Sequence, residues 1–142
     1  MARRRKRKPV CPLCNARFIV NVEMVQHVAE DHRDWLDEWY ASHPENFKYV
    51  RRYVARKLKG CIVGHRLGHG PVVYSDENAA TRARKCSTAS ELLSLLEELR
   101  AEAVNAEKTA PLDESLELAG HIILLNFLIV FVAGYALDHA FS

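Results

Sequence analysis

Four residues near the N-terminus have the types and spacing to hold a metal ion. Cys11 and Cys14 are separated by two residues, twelve residues follow, and His27 and His32 are separated by four. Two thiolates and two imidazoles at this spacing can close a tetrahedron around Zn²⁺. The cysteine pair alone would also suit a redox motif or a disulfide. The histidine pair is what a metal site explains and a disulfide does not. With four protein ligands the ion has no open position for water or substrate. No nucleophile with a neighbouring base stands out elsewhere, so the chain is not expected to be an enzyme.

Such a ligand set needs a scaffold. Phe18 falls four residues after Cys14 and Met24 three before His27, two apolar positions for a very small core. Asn21 is a good helix N-cap and Glu23 sits in the first turn. Residues 11–32 resemble the C2H2 zinc finger family, whose pattern places an aromatic and a large aliphatic at these two positions. Met24 stands at the family's usual leucine, a volume-conserving change. Pro9 stands where the family usually has an aromatic, so the first strand is expected to fray. The resemblance implies a ββα unit, Zn²⁺ as cofactor and nucleic acid, usually DNA, as partner. The family's base-reading positions, counted back from His27, fall on Val20, Val22, Glu23 and Gln26. None is the Arg or Lys that pairs with guanine edges. The resemblance therefore implies a structural finger with low sequence specificity. Arg33-Asp-Trp-Leu follows His32 in place of the family's usual linker.

The basic residues point the same way. Residues 1–59 hold fourteen Lys/Arg and seven Asp/Glu, whereas residues 60–142 hold six and eleven. The net charge of +2 hides this asymmetry. Residues 1–9 form a basic arm, with Arg3, Arg4, Arg5, Lys6, Arg7 and Lys8 as phosphate contacts or a solvated tail. Apolar steps from Val25 to Trp39 predict that the finger helix continues to about Ala41. Pro44 and Gly60 bound a second helix at 45–59. Its apolar face (Phe47, Val50, Val54, Leu58) is expected to pack on Trp35 and Trp39. Its other faces carry six cations against one acid, Glu45. Arg51, Arg52 and Arg56 are the candidate phosphate contacts, with Tyr49 and Tyr53 beside them. Residues 10–60 are thus read as a finger plus a basic helical hairpin.

Residues 61–87 are read as a short hairpin or loop followed by a polar linker. Cys61, His65, His69 and Cys86 form a second candidate metal set, although their spacing matches no familiar pattern. The alternative is two loop histidines and two buried cysteines. Thr88-Ala-Ser-Glu91 has the form of a capping box, opening an amphipathic, acidic helix at 88–107.

Residues 118–137 are twenty residues without a charge. A helix that long spans about 30 Å, the thickness of a bilayer core. The hydrophobic helix at 113–138 is therefore expected to be a C-terminal membrane anchor. The alternative is a buried helix at the centre of a homo-oligomeric bundle. Within the span, Asn126 needs a polar partner, such as its own copy in a second chain. No apolar segment follows the basic start, so no signal peptide is expected. The thiols are expected in a reducing intracellular compartment, with the finger on the cytosolic side of any membrane.

The fold expected is mainly α. It comprises a ββα zinc finger extended into a helical hairpin, a short hairpin or loop, an amphipathic helix and a hydrophobic C-terminal helix. The function expected is zinc-dependent nucleic-acid binding, DNA before RNA. The alternative is a membrane-anchored or oligomeric adapter whose finger binds protein.

Overall fold

The computed structural model describes residues 9–66 and 70–141, with backbone alone at 64–66. Six helices and one hairpin follow in order: α1 Asn21–Asp31, α2 Arg33–Ser42, α3 Pro44–Lys59, β1 Cys61–Arg66, β2 Gly70–Tyr74, α4 Glu77–Arg84, α5 Ala89–Thr109 and α6 Leu112–Phe141. The chain is mainly helical, as its patterning implies. The two finger strands reduce, among the described residues, to one bridge pair, Val10 with Arg17.

One apolar cluster joins all six helices. Its fully buried side chains include Val28 of α1, Leu36 of α2, Val50, Val54 and Leu58 of α3, Leu92, Leu93 and Leu96 of α5, and Leu125, Leu128 and Val132 of α6. The long apolar helix α6 packs against most of the other elements and leaves part of its own surface exposed. It pairs most extensively with α5, and α1, α2, α3 and both strands also touch it. By length and composition α6 can cross a membrane, yet 39% of its apolar window is buried inside this fold. Asn126 finds its partner within the chain, since Arg100 of α5 donates to its Oδ1 at 2.9 Å. Tyr40 of α2 donates its hydroxyl proton to the Val132 carbonyl.

Local signals explain several element boundaries. Pro44 opens α3 and Gly60 closes it, and the four apolar residues expected on its inner face are buried. Thr88 caps α5 by accepting from the Glu91 N–H at 3.1 Å, while Glu91 accepts from the Ser87 N–H. Asp76 caps α4 by accepting from the Ala79 N–H at 2.9 Å.

Four sequence expectations fail here. Asn21, expected as an N-cap, is the first residue of α1, and Val20 holds the cap position with no side-chain hydrogen bond. The segment read as a linker contains α4, because Ala79, Ala80 and Ala83 make a small buried face that lets the helix lie against α3. Trp35 and Trp39 do not form the main floor for α3. Trp35 stacks on Phe141, and Trp39 faces Tyr135 and His139, so both tryptophans cover the end of α6. Tyr40 is the α2 ring that meets Phe47 of α3. Finally, the helix expected over 21–41 is two helices broken at His32, where φ is −122° and ψ is 38°. The ligand geometry gives the reason. On an unbroken helix, residues five apart point about 140° away from one another. His27 and His32 can converge only if the backbone leaves the helix between them.

Candidate metal centre

A turn and a helix end build this site. In the turn, Cys11 accepts from the Asn15 N–H and donates its own N–H to Ala16, both at 2.8 Å. Asn15 has φ 65°, in the left-handed region that Asn tolerates better than most residues. This tight turn aims both thiols at α1. Phe18 packs its ring 4.9 Å from His27, and Met24 packs against the core.

The four ligand atoms of Cys11, Cys14, His27 and His32 all lie within 4.8 Å of one another. Cys14 Sγ is 3.2 Å from His27 Nε2, which is also 3.2 Å from His32 Nε2. In a tetrahedral site with metal–sulfur bonds of about 2.3 Å and metal–nitrogen bonds of about 2.0–2.1 Å, ligand atoms sit roughly 3.3–3.8 Å apart. The widest pair has to close by roughly 1 Å to meet that geometry. These four residues are placed to hold a metal ion. The set suits a tetrahedral, borderline-soft ion.

The two thiols are biased in opposite directions, Cys14 toward the metal-binding thiolate and Cys11 away from it. Cys14 is pulled down to about 6, first by the Ala16 backbone N–H and then by the His27 and His32 imidazoles. Burial pushes the Cys11 thiol up. Asp31 Oδ2 lies 2.9 Å from His27 Nδ1. A proton held on Nδ1 by this carboxylate leaves the Nε2 lone pair free to face the metal. Sequence reasoning missed Asp31, although its position one helical turn after His27 was a usable signal.

The base-reading positions of the finger family lie at the start of α1. Val20, Val22 and Glu23 are exposed and Gln26 is half-buried. Ile19 is 75% exposed beside them.

The candidate phosphate contacts divide. Arg3, Arg4, Arg5, Lys6, Arg7 and Lys8 lie outside the described residues. Arg51 donates to the Cys86 carbonyl at 2.9 Å and lies over the Phe47 ring, so it ties α3 to the end of α4. Arg52 and Arg56 are exposed. With Lys48 and Lys59, also exposed, they recur at three- and four-residue steps and share one face of α3. Among the described residues no carboxylate forms an ion pair with any of these four. Tyr49 is exposed beside them.

Of the second candidate metal set, only the Cys61 and Cys86 side chains lie among the described residues. The Cys86 thiol donates to the Arg82 carbonyl at 3.4 Å and the Cys61 thiol to the Ile62 carbonyl at 3.6 Å. His69 and the His65 side chain lie outside the described residues. Compared with known proteins, the chain matches no family model, no curated protein and no solved structure.

Proposed function

We propose that this chain is an intracellular zinc-folded nucleic-acid-binding protein. Zn²⁺ is held by Cys11, Cys14, His27 and His32 in a structural role, with no ligand position left for catalysis. The ion fixes α1, and α1 in turn covers part of α6. Phosphates are gripped by Lys48, Arg52, Arg56 and Lys59 along α3, with the N-terminal run Arg3–Lys8 adding charge. The observation that carries this reading is the α3 stripe. Its four exposed cations have no carboxylate partner among the described residues, a bias that solubility does not require. The apolar residues at the family's base-reading positions support low sequence specificity. Duplex DNA, the family's usual ligand, is the first probe.

The same proposal assigns α6 to this chain's own core and not to a membrane. Supporting it are the Arg100–Asn126 hydrogen bond, the Tyr40–Val132 hydrogen bond and the α6 side chains buried in the common cluster.

The test is binding of the zinc-loaded full chain to duplexes of varied sequence across a salt series. The affinity is expected to fall steeply with salt and to change little with sequence. Removing one phosphate-contacting cation, as in Arg56→Ala, should flatten the log–log salt slope by about 1. Binding that is absent, or that does not respond to salt, removes the proposal.

A second reading rests on the exposed Ile19, Val20 and Val22, 75%, 49% and 51% exposed. Three aliphatics within four residues on the finger tip are a surface for protein, and the chain would then be an adapter. A zinc-loaded protein with no nucleic-acid affinity selects this reading.

A further inference from the structure

The outer seam between α3 and α6 is built from aromatic rings. Tyr49 and Tyr53, one turn apart on α3, stack on Tyr135 and Phe131, one turn apart on α6. The ring centroids are 5.7 and 4.2 Å apart and the planes meet at 30° and 29°. The order of these pairs makes the two helices antiparallel. The next step along the seam therefore brings Lys57 level with Phe127, whose ring stacks on Phe131 at 6.4 Å. Each four-residue step advances about 6 Å along a helix. Tyr53, Phe131 and Tyr135 are half-buried and form the floor, and the Tyr135 hydroxyl donates to Asn46 Oδ1 at 3.3 Å. Tyr49 and Phe127 stand at the two ends, 53% and 50% exposed, each backed by an inner ring.

Cations line the α3 side of this seam. Arg56 and Lys57 lie over the Tyr53 ring at 5.6 and 5.5 Å, a contact that holds both charges beside the rings. Arg52, three residues after Tyr49, is exposed. The carboxylates of the two helices stand off the seam. Glu45 in the first turn of α3 and Asp138 near the end of α6 lie beyond the Tyr49 pair. Asp113, Glu114 and Glu117 precede Phe127 by about 15 Å or more along α6.

We propose that this seam binds single-stranded nucleic acid, with unpaired bases stacked on Tyr49 and Phe127 and the phosphates between them on Arg52, Arg56 and Lys57. The inference deepens the nucleic-acid reading and rests on it. A cationic track with aromatic rings along it suits an unpaired strand, because every base has a face to stack and every nucleotide a charge. A duplex has no use for the rings, since its bases already stack on one another. Nor does α1 offer a duplex any Arg or Lys at Val20, Val22, Glu23 or Gln26 for reading guanine edges.

The test presents the zinc-loaded full chain with one labelled, mixed-sequence DNA strand of about 16 nucleotides, free and annealed to its complement. Charge alone favours the duplex, whose phosphates are denser. Tighter binding of the free strand, by about fivefold or more, is therefore the expected mark of base stacking. Tyr49→Ala and Phe127→Ala should each weaken free-strand binding by about fivefold or more and leave duplex affinity and the salt slope unchanged. Tyr49→Phe should keep full affinity, since stacking needs the ring and not the hydroxyl. Ile123→Ala, at an exposed apolar neighbour on α6, should have no effect. Circular dichroism checks each fold, and if one alanine variant misfolds the other decides. A duplex bound as tightly as the free strand, with both alanine variants silent, overturns the inference and leaves the nucleic-acid reading standing. No binding of either form removes both. The inference also falls if the chain doubles its mass at sedimentation equilibrium, or floats with phosphatidylserine vesicles, and Phe127→Ala abolishes this while free-strand affinity is unmoved.

Discussion

Asp31 occupies a position that helix electrostatics disfavours. It is the last residue of α1, where the partial negative charge of the helix terminus repels a carboxylate. Its contact with His27 Nδ1 explains its presence, because the metal-facing nitrogen must stay deprotonated. Asp31→Ala should therefore leave the helix intact, or slightly steadier, and lower Zn²⁺ affinity about 10–100-fold. Competition with a chromophoric chelator measures this, with Glu30→Ala, an exposed neighbour, as the control. Equal affinities for the two variants would show that the carboxylate does not tune the ligand. At this scale the sequence was most legible where chemistry fixes spacing: the convergence of Cys11, Cys14, His27 and His32 was readable because coordination demands both residue types and intervals. Arg51 was not readable. Its charge suggested phosphate, whereas its guanidinium is committed to the Cys86 carbonyl, an acceptor 35 residues away that no local pattern announces.

Among the elements, legibility followed how local the deciding interaction is. The bounds of α3 follow from Pro44 and Gly60, and the start of α5 from Thr88 and Glu91, all within one turn of the boundary. The break at His32 was hidden because apolar periodicity runs through it. It is set by the approach of His32 to a neighbour and to two cysteines far back in the chain. Helix α4 was hidden by composition: its polar residues suggested a linker, and the buried stripe is only alanine. Gly120 shows the same dependence on distant neighbours. A Cβ there would lie 3.0 Å from both the Val63 carbonyl oxygen and its Cγ2, so the hairpin seats on α6 only because that side chain is absent. Gly120→Val should overpack this contact and destabilise the chain by about 1–3 kcal/mol, read by urea unfolding. A variant as stable as the wild type would mean that the hairpin shifts freely on α6.

For the molecule as a whole, the question is what α6 does, since its sequence fits a membrane span and its packing fits a core. The two roles make opposite demands on the rest of the chain. A tail anchor leaves a soluble domain that folds without it. In this fold, Leu124, Leu125, Leu128, Ile129, Val132 and Leu137 are all buried within the common cluster. Each such side chain contributes about 1.5–3 kcal/mol on burial. Their sum is of the order of the whole net stability of a domain, about 5–15 kcal/mol. Helices α1 and α5 and the hairpin would all lose the surface they pack on. A chain ending at Pro111 should therefore lose cooperative unfolding even when zinc is supplied, while the full chain should be soluble without detergent and unfold in one transition. Thermal unfolding followed by circular dichroism distinguishes these outcomes. If the shortened chain melts as sharply as the full one, and the full chain requires detergent, α6 is an anchor beside a self-sufficient domain. If only the full chain melts cooperatively, the twenty uncharged residues are the core on which α1, the basic α3 and the acidic α5 are assembled.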